Sequence, residues 1–157
     1  MIAECDKPSY FGPARGSGVM LVVEDNDGDV RLIKEALQAR SGEQSMHVVR
    51  DGVEATSFLR RETPYEEAPR PDLILLDLQL PKKDGCELLS DVRSDPDLKH
   101  IPVVIFSSSA AESDVSTCYE LGANCYVVKP FDPDRFMQVV EDIKTFWFTI
   151  VSLPGQQ

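Results

Sequence analysis

Pro71-Asp72-Leu73-Ile74-Leu75-Leu76-Asp77-Leu78-Gln79-Leu80-Pro81-Lys82-Lys83-Asp84-Gly85 is the stretch on which the fold turns. Leu73 to Leu76 is an unbroken apolar run of strand length, as in a strand covered on both faces of a parallel sheet. Asp77 ends that run, just before a loop carrying Pro81 and Gly85. A carboxylate there lies in the crevice where open α/β sheets bind ligands, outside the carboxyl ends of the strands. Taken alone, the stretch also fits an Asp that caps its own loop backbone. Residues elsewhere in the chain decide between the two readings.

Outward from this strand, four more short strand patterns alternate with helical ones. Val19 to Val23 is a second buried run and ends in Glu24-Asp25, with Asp27 expected to cap the helix whose apolar positions are 30, 32, 33, 36 and 37. Gly42 is the expected end of that unit, and Met46 to Val49 reads as a short strand. Val53, Ala55, Phe58 and Leu59 mark a second helix, and Cys86, Leu88, Leu89 and Val92 a third. Pro102 to Phe106 runs as a strand into Ser107-Ser108-Ser109. Ser109 with Glu112 has the spacing of a capping box for a helix stopped at Gly122. Cys125 to Val128 is the last strand, ending at Lys129-Pro130, and Asp132-Pro133 opens the last helix. Five strand–helix units in succession predict a doubly wound parallel sheet, order 2-1-3-4-5, with helices on both faces.

That order brings the carboxyl ends of four strands to one crevice, where Glu24, Asp25, Asp77, Ser107 and Lys129 would meet. Neighbouring carboxylates a few ångströms apart repel by about 3–4 kcal/mol per pair at an effective dielectric of 20. One Lys does not offset three of them. An all-oxygen donor set without His or Cys selects a hard cation, Mg²⁺ before Ca²⁺ or Zn²⁺. Such a site suits phosphoryl transfer onto a carboxylate, with Asp77 as nucleophile, Lys129 facing the developing charge and Ser107 bonding a phosphoryl oxygen. No glycine-rich phosphate loop is present, so binding of ATP by the chain itself is not expected.

Bulk properties limit the remaining classes. The chain has 157 residues and a formal net charge of −11, which disfavours nucleic acid and anionic membrane surfaces as partners. Its four cysteines, Cys5, Cys86, Cys118 and Cys125, have no metal-type spacing and read as reduced thiols of a cytoplasmic protein. Residues 1–18, rich in Pro and Gly, read as a flexible arm, 19–153 as one domain, and 154–157 as a tail. Asp27 and Asp29 are taken as helix-capping and dipole charges. Ser108 and Ser109 are taken as loop and cap, and Cys86, Cys118 and Cys125 as core.

Four pieces together carry a family resemblance: Val22 to Asn26, Leu73 to Gly85, Pro102 to Ser108, and Asn124 to Phe131. In this order and these strand contexts the chain resembles the receiver domain of two-component response regulators, from Val19 to about Lys144. The resemblance implies Asp77 as phosphoacceptor, and Glu24, Asp25, Asp77 and the Gln79 backbone carbonyl as Mg²⁺ ligands. It further implies Ser107 and Lys129 as phosphate-binding groups, Tyr126 as a switch aromatic, and a cis bond before Pro130. Ser107 departs from the Thr that many relatives carry there, keeping the hydroxyl without the methyl. Glu24 to Leu37 and Phe146 to Pro154 resemble, more narrowly, single-domain regulators paired with phytochrome-type sensor histidine kinases.

An aspartate-based phosphatase would also use a strand-end Asp, Lys and Mg²⁺, but needs a second Asp two residues on as general acid. Gln79 stands there and cannot transfer a proton in that role. A flavin carrier would need a hydroxyl- or glycine-rich loop where Glu24-Asp25-Asn26-Asp27 stands. The expected protein is therefore no enzyme beyond its own phosphorylation and slow dephosphorylation, and it signals through protein contacts. Past the last helix, Phe148, Ile150, Val151 and Leu153 extend the apolar surface beyond one helix face. Composition leaves two readings equal, a fold-back over the first helix or a contact between copies. The resemblance implies a homodimer through helix 5 and its extension, at Phe146, Trp147, Phe148, Ile150 and Val151.

Overall fold

A computed structural model describes residues 18–38 and 45–154. The expected stop at Gly42, Cys5, and the arm and tail apart from Gly18 and Pro154 lie outside these residues. The elements are β1 (Val19–Val23), α1 (Asp27–Gln38), β2 (Ser45–Val49), α2 (Gly52–Arg60), β3 (Leu73–Leu76), α3 (Gly85–Ser94), β4 (Val103–Ser107), α4 (Glu112–Glu120), β5 (Cys125–Val128) and α5 (Pro133–Thr145). All strand pairs are parallel and the order is β2-β1-β3-β4-β5, as the alternation of patterns predicts.

Strand side chains alternate between two cores, because successive residues point to opposite faces. Leu21, Val23, Ile74, Leu76, Val103 and Ile105 face α2, α3 and α4, among Phe58, Leu89 and Cys118. Met20, Val22, Leu73, Leu75, Val104 and Phe106 face α1 and α5, among Ile33, Phe136 and Val140. Burying each such side chain is worth about 1.5–3 kcal/mol, so both faces of the three inner strands hold the sheet between its helices. The same parity sends the residues just past the strand ends to opposite sides. Asp77 and Lys129 continue the α1/α5 face, whereas Ser107 and Tyr126 fall on the α4 face.

Several helix ends differ from the sequence expectation. Asn26, not Asp27, caps α1, its Oδ1 accepting from the Asp29 N–H at 2.9 Å. Asn accepts there as well as Asp, and one residue of chain direction decides which side chain reaches the open N–H groups. Ala111 occupies the cap position of α4 without a side-chain bond. Ser109 stands two residues upstream, donating to Asp114 at 2.5 Å instead. Asp132 caps α5 as expected, and Asp51 and Asp84 cap α2 and α3, each of the three accepting from an N–H three residues on. Among the described residues the one cis peptide is Thr63-Pro64, so the bond before Pro130 is not cis.

Beyond α5 the chain continues as a π-helical turn over Phe146–Ile150. It does not lie free: Phe148 is 7% exposed and Leu153 6% exposed, both in the core that α1 and α5 share. A Cβ on Gly18 would come 2.3 Å from the Phe148 ring, so the start of β1 is shaped to receive it. This corrects the expectation that Phe148 serves a contact between copies. It packs inside its own chain, while Phe146 and Ile150 stay about half exposed.

Candidate functional site

The crevice at the carboxyl end of the sheet gathers residues from four segments of the chain. A cleft of about 560 Å³ is lined by Glu24, Asp25, Asn26, Asp27, Asp29, Asp77, Gln79, Ser108 and Lys129. Glu24 is buried beside the end of β1, its N–H bonded to the Val49 carbonyl of β2. Asp77 is buried directly past β3, with its own N–H bonded to the Val23 carbonyl. The two carboxylates are thus fixed by the continuing sheet pairing, not by a mobile loop. Gly85 guards the same spot from below, because a Cβ there would sit 2.4 Å from the Asp77 carbonyl oxygen.

Lys129 enters from the end of β5, passing 5.9 Å from the Phe106 ring centroid. Its Nζ donates to Glu24 Oε2 at 2.6 Å, Asp29 Oδ2 at 2.8 Å and Asp77 Oδ2 at 3.1 Å. An ammonium has three donors, and all three are engaged. Burial disfavours the Lys129 charge, but the bonds to Asp29 and Glu24 outweigh it and hold its pKa above the ordinary lysine range. Burial pushes Glu24 the other way, up to about 7, helped by the Asp77 charge and opposed by Lys129. Five acidic groups lining the cleft with one Lys leave the pocket short of positive charge.

Glu24, Asp25 and Asp77 can each offer one carboxylate oxygen, all within 4.8 Å of one another. Asp25 is exposed and leaves the group open to solvent on one side. Hard oxygen donors, open to water, suit a divalent cation that keeps part of its hydration shell. Gln79 lines the cleft, and its N–H leans on Asp77 Oδ1 at a long 3.4 Å.

The structure thus brings Glu24, Asp25, Asp77, Gln79 and Lys129 together, and separates two others from them. Ser107 is fully buried, its Oγ accepting from the Ser109 N–H at 3.2 Å, and Ser108 takes its place on the cleft wall. The Tyr126 hydroxyl already points inward, donating to the Ser109 carbonyl at 2.8 Å and meeting Ser107. Asp29, assigned to helix dipole from its position, is the residue that sequence reasoning missed. The available signal was its place on the first turn of α1, which opens directly from the β1 end that carries Glu24 and Asp25.

A doubly wound sheet whose β1, β3 and β5 ends converge on acidic groups and one Lys defines a class. The chain belongs to the response regulator receiver family, whose receiver domain matches residues 20–141. It is 45% identical over 137 residues to response regulator Rcp1 of Synechocystis sp., covering 87% of this chain and 93% of that one. Among solved structures it resembles the phosphorylated cyanobacterial phytochrome response regulator RcpA at 46% identity and a TM-score of 0.87, covering 89% of this chain and all of that one. The Mn²⁺-bound form of Rcp1 superposes with a TM-score of 0.84 at 44% identity, covering 88% and 99%. The protein is a response regulator, and receiver domains of this kind bind a divalent metal.

Proposed function

We propose that Asp77 is the phosphoacceptor of a phosphorylation-switched regulator, charged by a sensor histidine kinase of phytochrome type and read out through protein contacts. The observation that carries this is Asp77 itself, buried at the end of the central strand, 3.1 Å from the Lys129 ammonium and beside Glu24 and Asp25. The phytochrome link rests on the likeness to RcpA and to response regulator Rcp1. One domain over 19–153, in a reducing cytoplasm, is consistent with the free thiols of Cys86, Cys118 and Cys125.

An Asp77 carboxylate oxygen attacks phosphorus as the P–N bond to the donor histidine breaks, its electron pair returning to the ring nitrogen. A P–O bond forms, giving an acyl phosphate. Glu24, Asp25, Asp77 and the Gln79 carbonyl would hold Mg²⁺, whose charge, when bound, offsets that of the transferring phosphoryl oxygens. Lys129 donates to a phosphoryl oxygen from the β5 side. Ser107 and Tyr126 sit one layer behind, joined through Ser109, and repack when the Ser107 hydroxyl turns toward the new oxygens. This shifts an existing equilibrium of α4, β5 and α5.

A homodimer through α5 and the turn beyond it is favoured by exposed Phe146 and Ile150, flanked by half-buried Trp147 and Val151. The acidic surface supports neither nucleic acid nor membrane as partner. The deciding experiment is intact-mass analysis after treatment with acetyl phosphate and Mg²⁺. Wild type should gain one phosphoryl group and Asp77→Asn none, because the amide keeps the shape but is a poor nucleophile. A phosphoryl group on Asp77→Asn overturns the assignment.

A further inference from the structure

The three acceptors of Lys129 are not equivalent. Glu24 and Asp77 belong to the cluster of oxygens able to share a cation, and both are buried. Asp29 does not belong to it. Its side chain is 27% exposed, at the rim of the cleft on the first turn of α1, and it still takes a 2.8 Å bond from the ammonium. Lys129 has no fourth donor to offer. A phosphoryl group arriving on Asp77 can therefore bond Lys129 only by displacing one of the three present acceptors.

The geometry points to Asp29 as the acceptor that gives way: a positioning residue that holds Lys129 in the unphosphorylated protein and competes with the phosphoryl group for it. Glu24 is kept in place by its Oε1 accepting from the Asn26 N–H at 3.1 Å and by the sheet bond of its own backbone. Asp77 carries the incoming group. Asp29 alone has solvent to turn into, and hydration replaces its lost bond at small cost, as for other ion pairs with an exposed member. Its release also frees the first turn of α1 from β5, two segments that Lys129 otherwise ties across 100 residues of chain. The handover thus connects the phosphorylation state to the entry of α1 as well as to α4.

This inference rests on Asp77 being the phosphoacceptor, and Asp77→Asn run in parallel separates the two. The test compares wild type, Asp29→Asn and Asp29→Glu, treated with acetyl phosphate and Mg²⁺, by time-resolved intact mass. Removing the competitor should speed phosphorylation and lengthen the phosphoryl lifetime, each by about 1.5- to fivefold, the range of a partly exposed ion pair. Asp29→Glu should return both toward wild type. ¹⁵N spectra of the metal-free, unphosphorylated proteins should show the Lys129 Nζ signal moved in Asp29→Asn, a change that a loosened α1 alone would not cause. Unchanged rates and lifetime in Asp29→Asn, or slower phosphorylation with a shorter lifetime, overturn the inference. If wild type takes a phosphoryl group and Asp77→Asn does too, the site assignment fails instead.

Discussion

Lys129 donates to Glu24 at 2.6 Å although 105 residues separate them, and the bond crosses from the last strand of the sheet to the first. The sheet order makes this meeting possible, since β1 and β5 lie on opposite sides of β3-β4 and only a long side chain spans them. The pair is buried, yet its members do not balance. Glu24 is held up to about 7 by burial and by Asp77, so the metal-free site carries stress that a proton or a cation relieves.

Glu24→Gln should therefore stabilise the metal-free protein at pH 8, by about 1–3 kcal/mol. The sign follows from linkage. Between the ordinary value of 4.5 and about 7, the folded state holds a proton that the unfolded state has lost. Glu24 thus makes wild type less stable as pH rises through this window, and Gln removes that slope. Lys129 adds no slope there, because it is charged in both the folded and the unfolded state throughout this window. Urea unfolding at pH 5, 6, 7 and 8 in EDTA measures the difference. Mg²⁺ added at pH 8 should stabilise wild type more than Glu24→Gln, which loses a ligand.

Ser107→Ala should still accept a phosphoryl group on Asp77 but transmit it poorly. In the proposed switch the Ser107 hydroxyl links that crevice to Tyr126, which bonds the Ser109 carbonyl in the loop leading to α4. Amide shifts around Tyr126 and α4 should change on phosphorylation by less than half as much as in wild type. A full wild-type set of shifts in the phosphorylated variant would remove the coupling.

Phe148 and its neighbours separate stability from association. Phe148→Ala empties a buried site against Gly18 and should cost about 3 kcal/mol, read as a lower urea midpoint. Phe146→Asp with Ile150→Asp changes exposed positions and should leave stability within about 0.5 kcal/mol. The same double variant should sediment as a monomer where wild type, at high micromolar concentration, sediments as a dimer. Wild type already monomeric under those conditions, phosphorylated or not, would end the homodimer reading.

Gly85→Ala tests how tightly the Asp77 backbone is held. Alanine favours a helix by about 1 kcal/mol over glycine, and Gly85 is the first residue of α3. Here the clash at 2.4 Å with the Asp77 carbonyl oxygen opposes that gain. Net destabilisation of about 2 kcal/mol is expected, with slower phosphorylation because Asp77 moves. A more stable variant of normal rate would show that the loop yields freely.

Strand and helix order was legible in the sequence because both signals are local. Leu73 to Leu76 and Val19 to Val23 are apolar without alternation, which only a strand buried on both faces tolerates, and both strands form where read. Asp77, Glu24 and Lys129 could be placed in one crevice because residues ending strands of a parallel sheet share an end. Side-chain reach was not legible. Whether Asn26 or Asp27 caps α1, whether Asp29 faces solvent or Lys129, and whether Ser107 or Ser108 lines the cleft each depend on a fraction of a turn. The apolar tail shows the same limit. Its composition marks Phe148 as surface-seeking or core-seeking alike, and the space over Gly18, where the chain enters β1, put that ring inside.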